Sequence, residues 1–212
     1  MAQLTRHNVP LTDQVRRLTE LGVADLAGIT SATLAGYAAD LPDTPDAILV
    51  VHPTLVPPRA LASLLCLDGK PGFVVDDLTD LEQFVPITEV QLPDRPLYVV
   101  RGIDRGDDLR NASPTEALAV FRERGRTPLT VGEGISWLLH EPEMLQRNHC
   151  FMTIGSRKAK GTGLDARTPA IWISGGTGHD GRANAGAPKV GWCWAGNRHT
   201  WLGFASAAGR AG

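Results

Sequence analysis

Apolar residues in the first part of the chain recur at the spacing of one helix face. The pattern predicts two helices within the segment 1–46, one capped by Thr12 and ended by Gly22, and one beginning at Thr30 or Ser31. The residues that share a face are Val15, Leu18 and Leu21 in the first helix, and Leu34, Tyr37 and Ala38 in the second.

The next segment, 47–140, mixes short apolar runs with helix signals. Residues 47–51 form a continuous apolar run, which predicts a strand buried on both faces. Further strands are predicted at 73–75 and 97–100. A short helix is predicted from Pro57 and Pro58 through Leu65, and Asp77 is predicted to cap a helical turn.

Two helix starts carry a capping box, in which a Ser or Thr is followed three residues later by Glu. One runs from Ser113 to Glu116 with Pro114 in the first helical position, and the other runs from Thr130 to Glu133. Each is followed by apolar residues at helical spacing. We therefore expect one helix after Ser113 and another after Thr130.

Residues 141–212 are rich in glycine and predict strands at 169–174 and 190–194 joined by loops. The whole pattern predicts one domain over 1–212 of the α+β class. N-terminal helices precede a mixed sheet with packed helices, and an irregular β-rich part follows. An α/β arrangement is the alternative.

Charge and cysteine content exclude some classes of function. The formal net charge is −2, but residues 141–212 carry nine Lys and Arg against four Asp and Glu, which suits either an anionic ligand or docking against the acidic remainder of the chain. The sequence lacks a basic stripe with interleaved aromatic residues, which is the pattern expected of a nucleic-acid binder, so we expect no nucleic-acid partner. We expect a cytoplasmic protein that does not interact with membranes, because no apolar run reaches the length of a span. Because the cytoplasm is reducing, we expect the three cysteines to be free thiols. The oligomeric state stays open.

The stretch 191–203 contains three of the five tryptophans together with an Asn-Arg-His triplet. Dense aromatic area beside convergent polar groups is typical of a pocket wall. The hypothesis is a C-terminal pocket for a small polar or anionic ligand, with His199 as a candidate for proton transfer. The candidate binding residues are Asn148, Arg157, Lys189, Trp192, Trp194, Asn197, Arg198 and Trp201.

Other interpretations of the same residues stay open. The Trp and Cys block equally fits a structural clasp or a protein-interaction domain with no enzymatic activity. Cys150, Cys193 and His199 are candidate zinc ligands, although their spacing matches no standard signature. Cys193 is also a candidate thiol nucleophile, for which a buried core thiol is the alternative.

Two loops carry weaker signals. The run 104–108 holds three carboxylates, which fits either a Mg²⁺ or Ca²⁺ site or an ordinary acidic turn with Arg105 as a partner. The run 175–178 resembles a phosphate cradle, but it lacks the Lys of a P-loop, so a flexible loop is favoured.

Several motifs resemble a bacterial family of unknown function, domain-of-unknown-function family 5701, which is common in actinobacteria. The motifs cover most of the chain from about residue 48. They comprise segments 104–106, 110–111, 116–117, 124–130, 133–135, 147–151, 156–157, 169–174 and 188–203. The resemblance implies membership and no particular activity. Similar proteins often have a Cys where this chain has Lys158, and their connection before the Trp192 strand is shorter, so 175–187 resembles an insertion.

Overall fold

The computed structural model describes residues 9–212. Residues 1–8 of the predicted N-terminal segment lie outside this range. The six α-helices within it are α1 Leu11–Glu20, α2 Val23–Ala27, α3 Ser31–Ala38, α4 Pro58–Ala62, α5 Pro114–Glu123 and α6 Val131–His140. The sixteen strands are β1 Ala47–Val51, β2 Cys66–Leu67, β3 Lys70–Pro71, β4 Phe73–Val74, β5 Val85–Pro86, β6 Leu97–Arg101, β7 Thr127–Pro128, β8 Cys150–Met152, β9 Ser156–Arg157, β10 Ala159–Lys160, β11 Gly163–Leu164, β12 Arg167–Ile173, β13 Pro188–Trp194, β14 Leu202–Phe204, β15 Ser206–Ala207 and β16 Gly209–Ala211.

The N-terminal helices follow the apolar spacing, with corrections at their ends. Helix α1 begins after Pro10, two residues before the predicted cap at Thr12, and its first backbone N–H, that of Leu11, donates to the Asp43 carboxylate at 3.3 Å. The Thr30 hydroxyl accepts a hydrogen bond from the Thr33 backbone N–H, which confirms the predicted start of α3. The short helix α2 follows Gly22 and has too few residues to show a periodic pattern.

The predicted helix after Pro57 is confirmed but shorter than expected. Helix α4 ends at Ala62, so Leu65 lies in the following turn, where its backbone carbonyl accepts from Gly72 N–H. The predicted turn capped by Asp77 is wrong. The only helical turn between β4 and β5 is a 3-10 turn at Leu81–Gln83, and its start has no side-chain cap.

Strands β1, β6 and β16 form an antiparallel three-stranded sheet with β6 in the centre. Every residue of β1 is buried, as its apolar run predicts, because α1 and α6 both pack against it. The buried Gln14 side chain of α1 reaches this strand. Its Nε2 donates to the Ala47 carbonyl at 2.8 Å, and its Oε1 accepts from Leu49 N–H at 2.7 Å.

A second, mixed sheet has the strand order β14-β8-β12-β13-β4. Its central pair, β12 and β13, is antiparallel over seven residues of each strand. Helix α6 packs on one face of this sheet, where a Cβ added at Gly134 would lie 2.7 Å from Thr153 Cγ2 and 3.2 Å from Ile171 Cδ1. Glycine at this position lets the helix approach the sheet closely.

A buried ion pair joins α6 to β16. The Glu133 side chain is fully buried and accepts two hydrogen bonds from the Arg210 guanidinium at 2.5 and 2.8 Å. Tyr98 O–H donates to the same carboxylate at 3.2 Å. Two further guanidinium N–H groups donate to Thr127 Oγ1 and to the Pro128 carbonyl. Four of the five guanidinium N–H donors therefore have partners, and the two buried charges compensate each other, as burial requires.

The α+β class predicted from the sequence is confirmed, and both capping boxes are present. The buried apolar cluster includes residues from Leu11 to Ala207. The division into one domain with segments 1–46, 47–140 and 141–212 stays a prediction. No helix within residues 9–212 is both long and apolar enough to cross a membrane.

Candidate ligand-binding groove

The tryptophans of the C-terminal part form two separate pairs. Trp172 contacts Trp201 edge to face, with 6.2 Å between ring centroids. Trp192 contacts Trp194 in the same manner at 4.6 Å, and Trp194 is 49% exposed. The pairs lie on opposite faces of the second sheet, because Trp172 shares a face with its cross-strand partner Lys189, and Trp192 is three residues beyond Lys189. The predicted aromatic residues are therefore divided between two surfaces.

Lys189, predicted to hold an anion, already has an internal partner. Its ammonium group lies 2.7 and 2.9 Å from the Asp180 carboxylate oxygens and 4.7 Å from the Trp172 ring centroid. Asp180 also accepts from Ser174 O–H at 2.8 Å. These contacts attach the glycine-rich segment 175–187 to the sheet, where it forms 3-10 turns at Gly178–Asp180 and Arg182–Asn184.

Arg198 and Asn148 lie on the surface near the start of α5. The Arg198 guanidinium donates to the Glu116 carboxylate at 2.6 Å and to the Asn111 carbonyl at 2.9 Å. The Asn148 carbonyl accepts a long hydrogen bond from Arg110 at 3.5 Å. Asn197 N–H closes a turn onto the Trp194 carbonyl at 3.0 Å. These residues connect loops to one another through exposed contacts.

His199 packs against Trp201, with 5.4 Å between ring centroids. Its Nε2 atom is buried and has no hydrogen-bond partner among the described residues. Burial lowers the pKa of this imidazole below its ordinary value, because desolvation disfavours the charged form. His199 is therefore a neutral imidazole at neutral pH.

The three proposed zinc ligands are not brought together. Cys193 lies opposite Thr168 on β12, whereas Cys150 lies on β8 at the other side of β12. Two strand spacings separate the backbones by about 10 Å, although two thiolates on one zinc ion need Zn–S distances of about 2.3 Å. Residues 9–212 contain no group of three or more His, Cys, Asp and Glu side chains arranged for a metal ion.

Cys193 has the surroundings of a core thiol. Burial raises its pKa to about 11, with a smaller opposing effect from Lys189. Desolvation therefore favours the protonated thiol and not the thiolate that a nucleophile needs. The pKa of Cys150 is raised for the same reason, and its Sγ–H donates to the Gln146 carbonyl at 3.3 Å.

The acidic run 104–108 has the contacts of an ordinary turn. Asp107 binds the Arg105 guanidinium at 2.8 Å and His149 Nδ1 at 3.2 Å. Asp108 pairs with Arg124 at 2.7 Å, and Asp104 accepts from Gly106 N–H. Each carboxylate therefore has a partner within the protein.

Arg157 is the one predicted residue that lines a large cavity described here. We call this cavity the Arg157 groove. It has a volume of about 490 Å³ and lies between the segment 85–89, helix α5 and the segment 154–164. Its apolar wall includes Val85, Ile87, Leu118, Ile154 and Leu164. Its lining also holds two arginines, Arg157 and Arg122. A cavity of this size with an apolar wall and a few polar groups is typical of small-molecule sites.

The Arg157 guanidinium is only partly satisfied by the protein. One terminal N–H donates to the Asp165 carbonyl at 2.8 Å, while Nε is buried and has no partner among residues 9–212. Burial lowers the pKa of this arginine, but arginine remains protonated at any ordinary pH. Within the described residues, no salt bridge is formed by Arg157. The groove therefore contains a half-buried positive charge that forms no salt bridge among the described residues, although the nearby Asp165 carboxylate partly offsets the effect of burial on its pKa.

A network of ion pairs fixes the residues next to Arg157 in the groove wall. The Asp165 carboxylate accepts from the Arg167 backbone N–H at 2.8 Å and from its guanidinium at 3.0 Å. Arg167 and Lys158 both bind Asp80, at 2.7 and 2.6 Å. Hydrogen bonds from Arg167 lower the pKa of Asp165 to about 2. Asp165 thus holds Arg167 with its side chain and orients Arg157 with its carbonyl.

The first turn of α5 forms the opposite wall. Pro114 and Thr115 line the groove at the positive end of this ten-residue helix. At the rim, Arg122 forms an ion pair with Glu89, so its charge is already compensated. The capping box already supplies the Glu116 carboxylate to this helix end and Pro114 has no N–H, so Arg157 is the group that favours a negative charge inside the groove.

Comparison with known proteins gives a family but no activity. The model of the family of unknown function DUF5701 matches residues 17–212. The chain belongs to this family. No similar protein was found among the curated proteins, and no similar structure among the solved ones. The resemblance seen in the sequence motifs is thereby confirmed, and the family assigns no reaction to the groove.

Sequence reasoning missed most of the groove of this family member. The segment 85–89 has the sequence Val-Pro-Ile-Thr-Glu and carries no motif. Its only signal is the apolar pair Val85 and Ile87 in a short extended stretch. Val85 and Leu164 remain 54% and 55% exposed, and both line the groove. Exposed apolar side chains around one cavity mark a contact surface that the sequence pattern does not reveal.

Proposed function

We propose that the protein binds a small anionic molecule in the Arg157 groove. The observation that carries the proposal is the Arg157 guanidinium, which lines a cavity of about 490 Å³ and forms no salt bridge among residues 9–212. A half-buried cation without a carboxylate partner favours the binding of an anion. A carboxylate or phosphate bound in the groove would accept hydrogen bonds from this guanidinium and compensate its charge.

Two other basic residues selected in the sequence analysis differ from Arg157 in having a carboxylate partner, and this difference supports the choice of Arg157 as the anion-binding residue. Lys189 and Arg198 are each paired with a carboxylate, so an added anion would have to displace that partner. Arg157 has no such competitor among the described residues. The proposed ligand is therefore still an anion, but the proposed binding site is the Arg157 groove and not the tryptophan block.

The test is a thermal-shift screen of carboxylates and phosphate esters, followed by calorimetry of those that stabilise the protein. A ligand that binds only the native state raises Tm. We expect Arg157→Met to weaken binding at least tenfold, because the bidentate contact with the anion is lost. Arg198→Met serves as the matched control, since it removes an arginine that is outside the groove lining, and it should leave affinity unchanged.

Equal weakening by both substitutions would contradict the proposal, because it would show a general electrostatic effect. Unchanged binding in Arg157→Met would contradict it directly. Circular dichroism spectra and Tm of the unliganded variants show whether each protein remains folded.

The tryptophan block supports a second candidate role as a structural clasp. Trp172, Trp192 and Trp201 pack against the buried core, and Lys189 is fixed by Asp180 and Trp172. Proton transfer by His199 stays a prediction. His199→Ala separates the two roles: a large fall in Tm with unchanged ligand affinity favours the clasp, and lost affinity with unchanged Tm favours a site.

A further inference from the structure

A second cavity lies beside the Arg157 groove and differs from it in chemistry. We call it the proline cavity. Its volume is about 180 Å³, and its wall includes Pro53, Pro57, Pro58, Phe84, Leu92 and Val131. An apolar cavity of about 150 Å³ is large enough to hold a benzene ring. The proline cavity therefore has room for a ring or a short hydrocarbon chain.

The two cavities meet at β5. Val85 and Pro86 belong to the linings of both. Strand β5 pairs with β9 so that Val85 is opposite Arg157 and Pro86 is opposite Ser156. Cross-strand partners share a face, so the Arg157 groove and the proline cavity lie on the two faces of this ribbon. Because β5 pairs only with β9 among the described strands, its other edge is open, and one molecule passing over that edge would reach both cavities.

Charge defines which end of such a molecule enters which cavity. The proline cavity contains no Lys or Arg in its lining, and the carboxylate of its one ionisable residue, Glu82, is paired with Arg59 at 3.8 Å, so this cavity offers no free positive charge. The Arg157 groove supplies a guanidinium that forms no salt bridge among the described residues. The negative group therefore belongs in the groove, and the apolar group belongs in the proline cavity.

We infer that the ligand is an anionic amphiphile, with a carboxylate or phosphate at Arg157 and a hydrocarbon tail of up to a ring or short chain in the proline cavity. This inference rests on the proposed function, because it requires an anion in the Arg157 groove. It adds the class of the ligand and assigns the proline cavity as the tail site.

Gly132 gives a direct way to fill the tail site. It lines the proline cavity in the first turn of α6, and a Cβ added there meets no atom within 4 Å. Gly132→Leu should therefore occupy the cavity without disturbing the backbone. Gly36→Leu is the matched control, because Gly36 is also helical, its Cβ also meets open space, and it belongs to neither lining.

The experiment is calorimetry of the full chain with straight-chain carboxylates from acetate to octanoate, and with octyl phosphate. For the native protein we expect affinity to rise about fourfold with each methylene group until the cavity is full. In Gly132→Leu, longer chains should gain nothing over butyrate, while Gly36→Leu behaves as the native protein. Comparing octanoate with octyl phosphate identifies the preferred anionic group.

The outcomes separate this inference from the proposed function. Binding of all carboxylates with one affinity, or a chain-length gain that survives in Gly132→Leu, would overturn the tail site and leave the anion site intact. No binding of any anion to the native protein would overturn both. If Gly132→Leu does not fold, Gly132→Ala with octanoate gives the same test with a smaller expected loss.

Discussion

The starts of α5 and α6 have the same capping motif in two different environments. Both pair a Ser or Thr hydroxyl with a Glu three residues later. Glu116 of α5 is 50% exposed and pairs with the equally exposed Arg198. Glu133 of α6 is fully buried and pairs with Arg210, which is 7% exposed.

The difference shows that a local motif determines where a helix begins but not what surrounds it. Arg210 lies 77 residues after Glu133, and it is brought there by β16 joining β6. The start of α5 lies beside the Arg157 groove, and the start of α6 lies beside the proline cavity. One motif therefore has a surface role and the other a core role, and substitutions at the two glutamates should separate them.

The largest expected effect comes from Glu133→Gln. It leaves the Arg210 guanidinium buried without a compensating charge, which should lower the free energy of unfolding by about 3–5 kcal/mol. Urea denaturation followed by circular dichroism measures this loss. Glu116→Gln is the matched control and should shift the urea midpoint far less, because both partners there are in contact with water. Equal shifts would remove the distinction between the two helix starts.

A smaller effect distinguishes two glycines of α6. Gly134→Ala places a methyl group 2.7 Å from Thr153 Cγ2, and overpacking of this kind costs about 1–3 kcal/mol. Gly132→Ala points into open space and should raise stability by up to about 1 kcal/mol through helix propensity. Thermal unfolding of both variants checks the opposite signs. A loss of stability in Gly132→Ala would show that the helix start has no free space.

The smallest effect is the pH response of the exposed start. Hydrogen bonds from the Ser113 backbone N–H and from Arg198 lower the pKa of Glu116 to about 2, from an ordinary value of 4.5. The stabilisation is therefore complete above pH 4.5 and is lost as pH falls from 4.5 toward 2. A carbon-detected NMR titration of the Glu116 carboxyl gives the midpoint. Arg198→Gln should raise that midpoint, and an unchanged midpoint would contradict the Arg198 contribution.

Local patterns predicted much of the secondary structure. The strand Ala47–Val51 and the two capping boxes depend on neighbouring residues alone, so the sequence carries the whole signal. Helix α2 has five residues, and α4 ends earlier than its apolar spacing indicates. Such short elements are stabilised by tertiary packing, which a local pattern does not contain.

The candidate site was predicted less well for the same physical reason. The hypothesis grouped the basic residues near the tryptophans because they are close in sequence, but strand alternation divides Trp172 from Trp192. The Arg157 groove is assembled from three segments between 85 and 164. Arg157 could be selected by its residue type, whereas its missing partner depends on the positions of Asp165 and the groove walls.

The central position of β6 has a consequence for biosynthesis. One edge of β6 pairs with β1, and the other pairs with residues 209–211, which follow it by more than a hundred positions. A ribosome must therefore extend the nascent chain beyond Ala211 before this sheet can close and Arg210 can meet Glu133. Until that moment β6 has one unpaired edge and Glu133 lacks its cationic partner, so this part of the fold depends on pairings that become available late in synthesis.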